Sequence, residues 1–151
     1  MTSERKTVPD NGLAADLHTA PQIHREDSVQ DAIIEEQYAR LVETVRDYNP
    51  AADFVHIESA YHFAKRCHEG QRRKSGEPYI IHPLAVAQIV AEELKLDSES
   101  IEAALLHDCI EDTAATYADI ARLFSPTVAD LVEGVSKLTR IQYATKEDEQ
   151  M

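Results

Sequence analysis

Ala103-Ala-Leu-Leu-His-Asp-Cys-Ile-Glu-Asp-Thr113 sets four ionisable side chains at the end of a strongly apolar run, and the reading of that junction decides the rest. Taken as one helix, the stretch spaces His107 and Glu111 four apart, and Asp108 and Asp112 likewise, giving two stacked pairs at the helix C-terminus. Three carboxylates at that end oppose the helix dipole, which favours cations there. A bound divalent ion reverses the cost, and an adjacent His-Asp offers it one nitrogen and one oxygen ligand. The plainer alternative is a satisfied core histidine beside a solvated acidic helix end, so the neighbouring sequence has to decide.

Working outward, every element with a clear period is helical. Ile33, Ile34, Tyr38, Leu41, Val42, Val45 and Tyr48 mark one face of a helix from Ser28 to Asn49-Pro50. Asn49 as N-cap and Pro50 in the first turn predict a second helix through about Cys67, with Phe54, Ile57, Tyr61 and Ala64 inward. Residues 69–79, with two glycines, a proline and hardly any apolar side chain, predict a loop. His82-Pro83 opens a third helix with Leu84, Ala87, Val90 and Leu94 as its stripe, and Asp97 or Ser98 caps a fourth that runs into His107-Asp108. Thr116 with Asp119 predicts a capping box for a short fifth helix ending near Phe124. Ser125-Pro126 starts a sixth, lined by Val128, Leu131, Val132, Val135 and Leu138. The expected fold is an all-α bundle.

At 151 residues the chain has room for one domain with a real core. Residues 1–27 carry prolines, Asn11-Gly12 and mixed charges without a period, which predicts a mobile arm; residues 28–151 form the domain. The net charge of −13 argues against general binding to nucleic acid or an anionic membrane. Positive charge is nevertheless concentrated at Lys65, Arg66, Arg72, Arg73 and Lys74, which suits a phosphorylated small molecule. Cys67 and Cys109 form no metal-binding or disulfide spacing. No signal-like or membrane-spanning apolar run is present, so a cytoplasmic location is expected. If the third and fourth helices run antiparallel, His82 at the start of one comes near His107-Asp108 at the end of the other. Such a mixed N and O set suits manganese or iron better than a thiolate zinc site.

His68-Glu-Gly-Gln71, Arg73-Lys-Ser-Gly-Glu-Pro-Tyr79, His82-Pro-Leu84, Ala103-Ala-Leu-Leu-His-Asp108, Glu111-Asp-Thr113 and Gly134-Val-Ser-Lys-Leu138, in this order and spacing, resemble the hydrolase domain of the RelA/SpoT homologue (Rel) family. The resemblance implies an HD-type all-α metal phosphohydrolase that removes the 3′-pyrophosphate of the guanosine tetra- and pentaphosphate alarmones (p)ppGpp in the stringent response, with Mn2+ as its metal. It implies that His82, His107 and Asp108 are metal ligands, that Glu111 and Asp112 are the catalytic acidic pair, and that Arg73, Lys74 and Ser75 hold the guanine nucleotide. Tyr79, Gly76, Pro78, His68 and Lys137 are expected to be structural. The family pattern also has a fourth ligand, an aspartate in a later Asp-Arg-Leu-His-Asn block without a counterpart here. On that ground the bundle is expected to be incomplete at its C-terminal side, poorly active alone, and joined in a longer protein to a downstream synthetase and regulatory region. Two rival readings stay open: an HD phosphohydrolase of another nucleotide, and a non-catalytic nucleotide-sensing or interaction module.

Overall fold

The computed structural model describes residues 25–137, apart from the side chains of Arg25, Glu26 and Asp112. Among the described residues all regular elements are helical, and the nearest thing to a strand pair is one antiparallel bridge between Arg72 and Pro78. In chain order the helices are α1 Arg25–Tyr48, α2 Phe54–Cys67, α3 Ile81–Ile89 with a π-helical continuation Val90–Leu94, α4 Ser98–Leu106, α5 Cys109–Asp112, α6 Tyr117–Leu123, and α7 over 126–137. The expected arm lies outside the described residues as far as residue 24; the chain is helical from Arg25, three positions before Ser28. Contacts divide it into one unit ending at Ile33, whose described part is the first turns of α1, and a second beginning at Ile34. The second unit carries everything that follows.

Its organising element is α4. Ile101, Glu102, Ala103, Ala104, Leu105 and Leu106 are all buried, because α2 covers one side of this helix and α3 another. A helix enclosed this way needs apolar residues around most of its circumference rather than along a stripe. Asp97 caps it, its Oδ1 accepting from Ser100 N at 2.9 Å. α2 contributes Ile57, Ala60, Tyr61 and Ala64, and α1 contributes Ile34, Leu41 and Val45 to the same core. Tyr61 stacks on Tyr38 with ring centroids 4.0 Å apart, and its hydroxyl donates to Glu35 at 2.9 Å.

Three expectations need correction. α2 starts at Phe54 rather than at Asn49-Pro50, because the Asp53 side chain, accepting from His56 N at 3.1 Å, supplies the cap. Pro83 is the third helical residue of α3, still inside the first turn, where no intrahelical N–H partner is required. Leu94 is 61% exposed, since the π-helical turn rotates the chain off the 3.6-residue stripe after Ala91.

The capping box of α6 forms as predicted, and Ser125 Oγ accepts from Val128 N at 3.0 Å at the head of α7. In α7, Val128, Ala129 and Val132 are buried, Leu131 and Val135 are exposed, and Leu138 lies outside the described residues. Both cysteines are free thiols. No described helix is long and apolar enough to cross a membrane.

Candidate metal centre

The single long helix envisaged through Ala103–Thr113 does not form. α4 stops at Leu106 and α5 starts at Cys109; between them Asp108 takes φ −94° and ψ −4°, in the sparsely populated bridge region. The break has local causes. His107 Nδ1 bonds the Ala104 carbonyl at 2.6 Å, and Ser136 Oγ of α7 donates to the His107 carbonyl at 3.3 Å. Thr113 Oγ1, donating to Cys109 O at 2.5 Å, closes the short α5. The continuous helix is thereby interrupted, and His107 and Asp108 turn toward the start of α3.

There they meet His82. One donor atom from each of His82, His107 and Asp108 lies within 4.8 Å of the other two. Asp108 Oδ2 is 3.2 Å from His107 Nε2 and 3.4 Å from His82 Nε2, and the imidazoles lie 5.3 Å apart between centroids. A carbonyl oxygen only accepts, so His107 Nδ1 must carry the proton it gives to Ala104 O. That leaves Nε2 as the ring nitrogen turned toward the Asp108 carboxylate oxygen, where a cation would be shared by both. The donor set therefore fits a divalent ion held by nitrogen and oxygen. Fixing the tautomer through the other ring nitrogen is how metal-ligating histidines are usually oriented.

The electrostatics agree. Burial, the largest influence, pushes the His82 imidazole below its ordinary range against the pull of Asp108, and the positive character of His107, Arg73 and His68 pushes the same way as burial. Burial alone would raise the Asp108 carboxyl, but the His107 hydrogen bond and charge, the Tyr79 hydroxyl and His82 together hold it low. A neutral imidazole and an ionised carboxylate are the protonation states that metal binding requires.

The basic loop borders this centre. Arg73 N donates to Glu77 O at 2.9 Å, Gly76 N to Arg73 O at 2.8 Å, and Arg72 Nη1 to Gly76 O at 2.8 Å. Gly76, at φ 94°, supplies the left-handed turn the hairpin needs. Arg73, Lys74 and Ser75 are exposed at its tip, where Ser75 Oγ donates to Glu77 Oε1 at 3.1 Å.

Glu111 is exposed on α5 and stands outside the group of three donors. Asp112 ends α5, and its side chain lies outside the described residues. Asp130 accepts from Tyr117 OH at 2.5 Å, and Asp148 lies outside the described residues. Lys137 pairs with Glu133 on α7. Tyr79 is the residue that sequence reasoning undervalued. Assigned to loop shape alone, it also donates its hydroxyl to Asp108 Oδ2 at 3.0 Å. Only its position three residues before His82 hinted at this.

An all-helical domain with such a His/His/Asp centre has a known class: the chain belongs to the HD domain family, which matches residues 60–151. More narrowly, it is 50% identical over 113 residues to the bifunctional (p)ppGpp synthase/hydrolase SpoT of Escherichia coli K12, covering 75% of this chain and 16% of that protein. It is 55% identical over 93 residues to the guanosine-3′,5′-bis(diphosphate) 3′-pyrophosphohydrolase of Aquifex aeolicus, covering 62% of this chain and 13% of that one. Over 97 residues it is 53% identical to a GTP pyrophosphokinase of Myxococcus xanthus, covering 64% and 13%. The chain thus spans no more than 16% of the length of these relatives.

Proposed function

We propose that this chain is a metal-dependent hydrolase of the 3′-pyrophosphate of (p)ppGpp, yielding GDP or GTP and pyrophosphate in the cytoplasm, with Mn2+ as its ion. The observation that carries the reading is the cluster of three donors, with His107 Nε2 facing Asp108 Oδ2 at 3.2 Å and His82 beside them. The names of the relatives narrow the substrate to guanosine polyphosphates.

His82, His107 and Asp108 would hold the ion, which would supply Lewis acidity toward a phosphoryl oxygen and make the attacking water more acidic. Glu111 or Asp112, one turn beyond Asp108, accepts the proton of the attacking water. Water oxygen bonds to the phosphorus next to the ribose, the bond from that phosphorus to O3′ breaks, and O3′ leaves with a proton. Arg73 and Lys74 neutralise the polyphosphate, and the planar guanidinium can also stack on the base. A chain of net charge −13 repels such a substrate except where basic residues are gathered. Ser75, whose proton goes to Glu77, keeps its oxygen lone pairs for the nucleotide.

Manganese-dependent release of pyrophosphate from ppGpp is the test, with His107→Ala beside the unaltered chain. Slow release that His107→Ala removes is the expected result. Equal release by both proteins would end the reading, and preferential hydrolysis of dNTPs would move it to another nucleotide.

A further inference from the structure

We propose that the Tyr79 hydroxyl is a positioning group for the metal centre, holding Asp108 in its ligating orientation and tying the basic loop to the ion. The inference rests on the metal-centre reading above and adds to it a residue that does not itself touch the ion.

Asp108 lies in the break between α4 and α5, and its side chain makes no capping bond to the α5 backbone. Its orientation therefore depends on its side-chain partners. Tyr79 OH is one, at 3.0 Å from Oδ2, the same oxygen that faces both histidines. A carboxylate oxygen has more than one lone pair, so a donor there is compatible with an ion on the histidine side.

The tyrosine is itself held from four directions. Its N–H donates to Gln71 O at 3.0 Å, and its carbonyl accepts from His82 N at 3.0 Å. One side of its ring rests on His68, with centroids 4.7 Å apart, and its position relative to His82 is edge-on at 5.9 Å. His68 is only 3% exposed and is fixed by Gln71 Oε1 at 3.0 Å from Nδ1. Tyr79 is also the residue through which the Arg73-Lys74-Ser75 hairpin returns to α3, so the hydroxyl links the hairpin to the centre. A ligand already aimed loses less freedom on binding, and outer partners of this kind are typically worth roughly 10- to 100-fold in metal affinity.

The experiment is a Mn2+ titration of the full chain, with free ion read by electron paramagnetic resonance, alongside thermal melting in chelator. It compares the unaltered chain with Tyr79→Phe, Tyr79→Leu, His107→Ala and, as a partly exposed ligand control, His82→Ala. Tyr79→Phe is expected to weaken Mn2+ binding about tenfold or more with no change in the melting temperature of the metal-free protein. Tyr79→Leu, which also removes the ring from His68, is expected to lower both. Binding by Tyr79→Phe within twofold of the unaltered chain would overturn the inference while leaving the metal centre standing. Weakening by Tyr79→Phe only alongside a Tyr79→Leu-sized drop in melting temperature would reduce the residue to packing. Unaltered chain that binds no more Mn2+ than both ligand variants would overturn the inference and the metal centre together.

Discussion

Asp108 faces His82, His107 and Tyr79 through one oxygen, so the centre's chemistry is concentrated in a few side chains with separable roles. The ligand roles and the proton-accepting role should come apart on mutation. Of Glu111→Gln and Asp112→Asn, which keep shape and remove a proton acceptor, at least one is expected to lower kcat on ppGpp by roughly 10²- to 10⁴-fold. In Glu111→Gln, Mn2+ affinity should stay unchanged, because the Glu111 carboxylate lies outside the donor group. Steady-state kinetics with a parallel Mn2+ titration checks this, and full kcat in both variants would remove the pair from the mechanism. The three clustered donors were legible in the sequence because His107-Asp108 and His82 differ sharply from the apolar residues around them. Tyr79 was not, because an aromatic residue closing a loop looks the same whether its hydroxyl points to water or to a ligand.

At the scale of elements, the helix starts at Asp97, Thr116 and Ser125 were readable because a short polar side chain caps each. Asn49-Pro50 misled because it is an equally good start signal, and only the packing of α2 selects Asp53 four residues on. The π-helical turn at Val90–Leu94 and the break at His107-Asp108 were invisible to periodicity, since a hydrophobic period does not show which backbone carbonyl a local side chain such as His107 bonds. Capping is the element-level interaction most open to test. Asp97 holds the N-terminus of α4, the helix that ends at His107, so Asp97→Ala is expected to cost about 1 kcal/mol. Urea denaturation would measure it as a lower midpoint at unchanged slope. A midpoint equal to that of the unaltered chain would show that Ser98 or solvent replaces the cap.

For the whole molecule, the pH dependence of stability follows from groups displaced in opposite senses. Asp53 and Asp97 are held below the usual carboxylate range, by the side-chain hydrogen bonds with His56 and Ser100 first. Their contribution is present above the unfolded value and is lost as the pH falls through the folded one. Glu102 acts the other way. It is 3% exposed on α4, and burial raises its carboxyl to about 7 from an ordinary 4.5. Between those values the native state binds more protons than the unfolded chain, so this contribution favours folding at pH 4.5, declines as the pH rises, and levels off above about 7. A displacement of that size is worth on the order of 3 kcal/mol, less where water reaches the carboxylate. His56, raised by its bond to Asp53, adds a further decline above 6.5, while His82, lowered by burial, tilts the curve upward as the pH approaches 6.5 from below. The difference between the unaltered chain and Glu102→Gln isolates Glu102 together with its pull on His56, since His82 is common to the two proteins. Urea midpoints from pH 4.5 to 8 should show the variant gaining relative to the unaltered chain as the pH rises to about 7, with a constant offset beyond. Parallel curves would mean that Glu102 keeps its ordinary affinity for protons despite its burial, and that His56 and His82 alone set the neutral limb.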